Sequence, residues 1–321
     1  MSSSDPYRQW HTVQNWVREG NWRALREQWQ SQDLEMRQAI LAALGECGNP
    51  QAIAFLIEGL QDHDTAIQDL AAQALGRLGE TAVPVLTAAI ARLGEPAALA
   101  LTRIAHPAIV PPLLAVWSQL SDRGRAQVLA ALHPWRDGAV LALLQQALTD
   151  PAPPVQREAL IGLGLAAQQG EITDLQPLVP FLENPELAPA AIEALGRARA
   201  VSLLQKALTT ASPAIAQAIA TALARIGTAE ALSVLATFLD TAVDAVPMAV
   251  LLARHGGVGH LVSRWYQQHP CFGEAVVRRE LALVADDAAL LATLAADADA
   301  LVSLYARQRL AAAPTQNSGR R

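Results

Sequence analysis

The stretch ALGRLG, at residues 74–79, is one of several related helix endings spread along the chain. The related pieces are ALGECG at 43–48, ALGRAR at 194–199 and ALARIG at 222–227. Each overlaps the end of a window with small or apolar residues at the first, fifth, sixth, eighth and ninth places, the spacing of a helix with a wide apolar face. The final glycine of three copies, Gly48, Gly79 and Gly227, suits the left-handed conformation that ends a helix.

The windows recur with a period of about 30 residues over nearly all of the 321-residue chain. They begin at Met36, Ile67, Leu93, Gly124, Val155, Leu187, Ile215, Asp244, Ala275 and Val302. A second helical segment precedes most windows, so the pattern predicts a repeated unit of helix A, tight turn and helix B. One unit cannot bury its own apolar face. Units must therefore stack, and the alanine and glycine of ALG would let neighbouring B helices approach closely.

Composition favours an all-helical fold and excludes several classes of protein. Apolar residues make up 52% of the chain and aromatic residues 4%, because alanine and leucine, both strong helix formers, dominate. The net charge of −6 and the pI of about 5.6 predict no nucleic-acid partner, which would need a basic stripe. We expect no membrane span and no signal peptide. With two distant cysteines, Cys47 and Cys271, the sequence predicts a cytoplasmic protein without disulfides.

The windows resemble the short HEAT-like repeat named after phycobilisome lyases, whose helix B reads Val-Arg-x-x-Ala-Ala-x-Ala-Leu-Gly. Residues 67–76 match this pattern at most positions, as do residues 36–45 and 155–164. The resemblance implies an all-α fold, a right-handed α-α superhelix of about ten two-helix repeats. These repeats would occupy residues 21–313.

The second place of the window is where the family often forms an arginine–aspartate bond between units. It holds Arg37 and Arg125 here, whereas the other strong windows have glutamine or alanine, so we expect such bonds in few layers. Rows of B helices normally line the concave side of HEAT-like arcs. In this chain they would present a mixed polar groove, suited to gripping a protein, with Arg125, Arg157, Arg278 and Arg279 among its side chains.

The two ends of the chain are expected to differ from the repeats. Residues 1–20 are predicted to form a separate amphipathic helix that either caps the first layer or docks a partner. In the docking hypothesis the anchor is Trp16, which falls off the apolar stripe of this helix; tryptophan is enriched at binding hot spots. Residues 314–321 are predicted to be a disordered tail.

The segment RHGGVGHLVSRWYQQHPCF, at 254–272, holds the densest group of reactive side chains. Its spacing matches no standard zinc site, so no metal is predicted. A thiol nucleophile at Cys271 would need a positioned base, for which His269 is nearest in sequence. A groove for an aromatic or anionic ligand is a further interpretation, and a degenerate repeat without chemistry is the remaining one. The side chains suited to such a ligand are Arg264, Trp265 and Tyr266. If the family resemblance extends to bilin handling, it implies a site made of these three residues with His260 and Cys271.

Two functions follow from these observations. The first is a non-catalytic scaffold or assembly factor that grips a protein partner, such as a second HEAT-like subunit, without catalytic residues or cofactor. The absence of Walker A, GxSxG and HExxH motifs favours this hypothesis. The second is implied by the resemblance, since related proteins attach or remove bilins on phycobiliproteins. The chain would then be a bilin lyase subunit or a chaperone-like factor, with a bilin as transferred ligand and arginines on its propionates.

Overall fold

The computed structural model of the chain describes residues 6–30, 33–47, 49–135, 137–242, 245–266 and 268–312. All regular structure in these residues is helical, which confirms the all-α prediction. None of their helices is long and apolar enough to cross a bilayer. Contacts within the chain separate it into two units, Met1–Gly162 and Leu163–Arg321.

The first unit stacks A and B helices in alternation after an N-terminal helix. Its helices are α1 (Pro6–Glu19), α2 (Trp22–Gln30), α3 (Leu34–Leu44), α4 (Pro50–Gly59), α5 (Thr65–Leu78), α6 (Val83–Leu93), α7 (Glu95–Leu101), α8 (Val110–Val116), α9 (Asp122–Leu132), α10 (Gly138–Ala147) and most of α11 (Pro153–Gln168). From α2 onward, even numbers are A helices and odd numbers are B helices. Short 3₁₀ segments flank α6 and α8.

The second unit continues the alternation. Its helices after α11 are α12 (Ala188–Arg197), α13 (Val201–Leu208), α14 (Pro213–Ile226), α15 (Ala229–Leu239), α16 (Ala245–Arg254), α17 (Val258–Tyr266), α18 (Ala275–Val284), α19 (Ala288–Ala295) and α20 (Ala300–Ala312). Here the even numbers are B helices, and the A segment before α12 is a 3₁₀ helix, Gln176–Glu183. The described helices form ten A–B layers in all, as the period predicts.

Side-chain caps start many of these helices. Asp33, Asp64 and Ser121 accept a hydrogen bond from a backbone N–H in the first turn of α3, α5 and α9. Asp137 and Asp287 do the same for the A helices α10 and α19. Such caps pair N–H groups that have no partner inside the helix. The short polar segments between helices therefore supply the side chains that cap the start of the next helix.

Glycine at the tenth place of the window lets the B helices of successive layers touch. A Cβ atom placed on Gly45, at the end of α3, would stand 2.9 Å from the Cβ of Ala74 in α5. One placed on Gly164 of α11 would stand 2.6 Å from the Cα of Ala194 in α12. Real Cβ atoms do not come this close, so these layers require glycine. The predicted role of glycine in close helix approach is confirmed at both places.

The residue after ALG-x-x has a positive φ wherever the motif is described. Gly227 is left-handed, with φ 68° and ψ 6°, and ends α14 as predicted. The prediction is wrong for Gly79, whose φ of 62° is combined with a ψ of −139°, outside the left-handed helical region, because a 3₁₀ turn begins at this residue. The equivalent residue of ALGRAR is Arg199, with φ 53°. Gly48 lies outside the described residues.

The N-terminal helix α1 packs against α2 and α3. Val13 on its apolar stripe is fully buried, and Trp16 is half-buried. The carbonyl of Trp16 accepts a hydrogen bond from the Asn21 N–H at 2.8 Å, which closes the turn into α2. The boundary at residue 20 stays a prediction, and the tail at 314–321 lies outside the described residues.

Candidate functional site

In most layers of each unit, neighbouring B helices pack more closely than neighbouring A helices. The more closely spaced row of a curved stack lies on its inner side. The ALG contacts cause this spacing, because they remove side-chain bulk between B helices and leave it between A helices. The B row is therefore the surface on which a groove would form within each unit.

Arg125 on α9 is held inside the chain. Its Nε and Nη2 atoms donate to the two carboxylate oxygens of Asp150, both at 2.9 Å. Nη1 donates to the carbonyl of Leu120 at 3.0 Å, and Nη2 also reaches Asp122 at 2.9 Å. The side chains of Arg125 and Asp150 are 14% and 7% exposed. Arg125 thus ties its own A–B turn to the turn of the next layer.

The same device recurs at the second place of two other windows. Arg278 on α18 donates to Asp297 at 2.7 Å and to the Phe272 carbonyl at 2.8 Å, and Arg37 forms an ion pair with Asp62. The sequence placed the start of the α18 window at Ala275, which hid this equivalence. The buried first place is Val277, so Arg278 takes the second.

Glutamine at the second place of a window keeps the hydrogen bond to the turn of its own layer but does not reach the aspartate of the next layer. The amide of Gln68 donates to the carbonyl of Asp62 at 2.5 Å, and that of Gln156 donates to the carbonyl of Leu148 at 3.2 Å. Both bonds fasten the turn of the same layer. The shorter side chain holds its own turn, whereas arginine also reaches the next one.

The other predicted groove arginines also have partners within the chain. Arg279 binds both carboxylate oxygens of Asp299, at 3.1 and 2.6 Å, and its side chain is 40% exposed. Arg157 is half-buried and interacts within the chain. The predicted groove arginines thus make contacts within the stack of layers. No contact of the described residues brings Trp16 to them.

The segment 254–272 forms a local cluster in the second unit. Arg264 on α17 pairs with Asp240 at 2.5 Å and donates to the carbonyl of Ala236 at 2.9 Å. The ring of Trp265 packs edge-to-face on Phe272, with centroids 5.2 Å apart. His260 is half-buried on the same helix, and the side chain of Tyr266 lies outside the described part.

The structure brings His269 to Cys271, as a thiol nucleophile would need. Nδ1 of His269 lies 2.9 Å from Sγ of Cys271 and accepts from its backbone N–H at 3.3 Å, while Nε2 lies 3.8 Å from Asp240. Cys271 is 3% exposed, and burial raises the pKa of its thiol to about 11. An activated thiol has a lowered pKa and is accessible. The geometry therefore stabilises a neutral thiol.

Three successive B helices of the first unit converge on a cavity of about 300 Å³. Asp69 of α5, Arg103 just after α7, and Arg123 of α9 line it, together with Leu99 and Gln127. The first three are exposed. Asp69 stands at a groove position of its window, whereas Arg103 and Arg123 lie just outside the ten-residue windows that begin at Leu93 and Gly124. Sequence reasoning missed these two for that reason.

A second cavity, of about 540 Å³, lies among α13, α14, α15 and α16 of the second unit. Its lining includes Leu208, Pro213, Ala216, Phe238 and Met248. These apolar side chains surround a recess that can receive an apolar side chain of a partner. No three described His, Cys, Asp or Glu residues come together in a way that could hold a metal ion.

Stacked A–B layers without strands in the described chain define an all-α helical-repeat protein. The model for HEAT repeats matches residues 23–96 and 175–253. These two segments, just under half of the chain, are therefore similar to HEAT repeats. It is also 34% identical over 151 residues to phycocyanobilin lyase subunit alpha of Picosynechococcus sp., a match that covers 44% of this chain and 54% of that protein. The chain therefore matches about half the length of this curated relative.

One solved structure supports the fold. A crystal structure of importin beta aligns with 91% of this chain and 49% of its own, at 14% identity and a TM-score of 0.52. A second crystal structure of importin beta gives a TM-score of 0.49 at 13% identity, over 91% of this chain and 45% of its own. The first likeness supports the helical-repeat fold.

Proposed function

We propose that the protein is a non-catalytic cytoplasmic scaffold that binds a protein partner along its B-helix row. The observation that carries this proposal is the cavity of about 300 Å³ in the first unit. There, exposed charges of both signs from three layers, on Asp69, Arg103 and Arg123, surround apolar contacts from Leu99. A protein surface with matching charges would be recognised by this arrangement.

The ladder of hydrogen bonds beneath this row supports the same proposal. Arg37 and Arg125 fix successive turns to one another through Asp62 and Asp150. A backbone fixed in this way has little conformational freedom to lose when a partner binds, which favours affinity. A second HEAT-like subunit or a phycobiliprotein would be a partner of the right kind.

The test is affinity capture of the tagged chain from its native host, with partners identified by mass spectrometry. Arg123→Glu on the B row reverses one charge of the cavity, so we expect it to lose the stoichiometric partner. Arg92→Glu on the A helix α6 is the matched control, because Arg92 is likewise exposed and lies on the other row. Both variants should keep the circular dichroism and melting temperature of the parent. Equal capture by both variants would contradict the proposal.

A second function, bilin attachment or handling on phycobiliproteins, is favoured by the 34% identity to a bilin lyase subunit. For the segment 254–272 to hold a bilin, Arg264 would exchange Asp240 for a propionate, and Trp265 would leave Phe272 for a pyrrole ring. These exchanges have a cost, because both groups already have partners. The apolar cavity lined by Phe238 and Met248 is the alternative place for a bilin, because no such exchange of partners would be needed there.

The visible spectrum of the captured complex separates the two functions. A coloured complex that contains phycobiliprotein subunits would support the bilin function. A colourless complex with one stoichiometric partner of another class would support the general scaffold and contradict bilin handling.

A further inference from the structure

Three arginines line one small cavity in the second unit. The cavity has a volume of about 200 Å³ and lies at the C-terminal ends of the successive B helices α11, α12 and α14. Arg197 and Arg199 come from the end of α12 and Arg225 from the last turn of α14, while Glu193 and Gln168 complete the charged and polar lining. We call this the arginine pocket.

The charge of the arginine pocket is only partly compensated. Arg197 binds the carboxylate of Glu193, four residues earlier, at 2.7 Å. Arg199 and Arg225 are exposed, and neither side chain has an ion pair or hydrogen bond with any described residue. Two free guanidinium groups thus stand at one cavity in a chain whose net charge is −6.

Arg199 occupies a backbone position that the repeat gives to glycine. The residues at this place in the other described copies of the hexapeptide are Gly79 and Gly227, both with positive φ. Arg199 has φ 53°, and the Ala200 N–H donates to the Leu195 carbonyl at 3.0 Å to close the turn. Glycine adopts this conformation without steric cost, whereas a residue with a Cβ does not. A side chain at this place therefore opposes local backbone stability.

Helix C-termini alone do not account for this arrangement. Cations near a helix C-terminus are stabilised by the helix dipole, which explains Arg197 and Arg225 in the last turns of α12 and α14. Arg199 gains the same benefit at the expense of its backbone conformation. The strained residue also completes a pocket whose other two arginines come from different layers.

We propose that the arginine pocket binds carboxylate side chains of an acidic peptide segment in the protein partner. Guanidinium groups bind carboxylates through two parallel hydrogen bonds, and two unpaired groups at one cavity can hold adjacent acidic residues. The inference rests on the proposed scaffold function and specifies the chemistry of the partner.

The test uses the full chain and a fluorescein-labelled hexaglutamate peptide, with binding followed by fluorescence anisotropy at physiological ionic strength. Hexaglutamine is the neutral control peptide. Arg199→Gly restores the glycine of the repeat, so this variant should fold at least as well as the parent. We expect it to weaken the binding of hexaglutamate about tenfold.

Arg77→Gln is the matched control variant, because Arg77 takes the place of Arg197 in the ALGRLG copy of the first unit. It removes one positive charge from the chain, outside the arginine pocket, and should leave the affinity unchanged. Equal binding of both peptides, an unchanged affinity in Arg199→Gly, or an equal loss in Arg77→Gln would each overturn the proposal. Displacement of hexaglutamate by equimolar inorganic phosphate would also overturn it, in favour of a phosphate site.

Partner capture through Arg123 is a separate measurement in the other unit. If the chain does not bind hexaglutamate but captures its partner, the proposal for the arginine pocket is wrong and the scaffold proposal stands. If the chain binds hexaglutamate but captures no partner, the scaffold proposal is wrong and the arginine pocket still binds carboxylates.

Discussion

Cys271 combines a reactive side chain with an environment that suppresses its reactivity. Nδ1 of His269 accepts a hydrogen bond from the backbone N–H of Cys271 and faces its thiol, and Cys271 is 3% exposed. Cys47, the other cysteine, is half-buried at the end of α3 and lines an open cavity. Proximity in sequence identified the His269–Cys271 pair, but burial decides that the thiol remains neutral.

Iodoacetamide at pH 8 should therefore label Cys47 well before Cys271 in the folded protein. Because burial raises the pKa of Cys271 to about 11, its thiolate fraction at this pH is very small. We expect labelling on the order of a hundredfold slower than for an ordinary cysteine. Mass spectrometry of timed samples measures both rates, and denatured protein is the control. Equal native rates would show that Cys271 is accessible and activated.

Asp299 makes the free energy of unfolding depend on pH in the acid range. The hydrogen bond from Arg279, followed by that from the Val302 N–H, lowers the pKa of Asp299 to about 2 from its usual value of 3.8. A carboxylate with a lowered pKa stabilises the fold at pH values above its unfolded pKa. That contribution is lost as the pH falls through the folded value.

Asp299→Asn should lower stability at pH 7, and the difference from the parent should shrink as the pH falls below 3.8 towards the folded pKa of about 2. Asparagine can still accept the N–H groups of Leu301 and Val302, which Asp299 caps at 3.1 Å, so the substitution isolates the charge. Urea unfolding of both proteins between pH 7 and pH 2 measures the difference. A difference that stays constant with pH would contradict the assigned pKa.

The B helix is the element on which sequence and structure agree best. Its length, apolar face and closing glycine follow from local spacing, and the ALG contact follows from the need to stack. The A helices agree less well, because prolines turn the A segment at Gln176–Glu183 into a 3₁₀ helix. Proline removes a hydrogen-bond donor and clashes with the preceding turn of an α-helix.

Gly164→Ala and Gly196→Ala should have opposite effects, although both glycines hold the tenth place of their windows. A Cβ at Gly164 would stand 2.6 Å from Ala194, whereas one at Gly196 would stand 3.5 Å from Ala222, an ordinary contact. We expect Gly164→Ala to cost about 1–3 kcal/mol of the free energy of unfolding through overpacking. Gly196→Ala should gain about 0.5–1 kcal/mol from helix propensity.

Urea unfolding of the two variants measures this contrast. Similar losses in both would mean that the motif requires glycine everywhere, independent of the local distance between helices. Similar gains in both would mean that α11 and α12 can move apart at no cost.

At the scale of the whole molecule, stability is expected to be local, because each layer contacts its neighbours. Arg125→Gln leaves a glutamine that can still fasten its own turn, as Gln68 and Gln156 do, but it abandons the carboxylate of Asp150. Removing one partner of a buried pair costs about 3 kcal/mol. Hydrogen exchange should therefore accelerate in α9, α10 and α11 and stay unchanged in α20. Faster exchange throughout would indicate that the chain unfolds as one cooperative body.

Arg125→Gln combined with Asp150→Asn is the control for that experiment. The second substitution removes the buried charge that the first leaves unpaired, so the pair should cost less than the sum of the two single changes. Additive losses would place the effect outside the Arg125–Asp150 contact.

The sequence by itself determined the repeated A–B unit, its period, the all-α class and the role of ALG, because these depend on spacing along one helix and on apolar area that must be buried. Tertiary structure alone decided which arginines remain available. Arg125, Arg278 and Arg279 looked like groove residues, but each meets an aspartate from an adjoining turn. Arg199 and Arg225, which were not among the predicted groove residues, meet none among the described residues. The partner of a surface charge is set by how far apart the layers stack, and local sequence does not encode that distance.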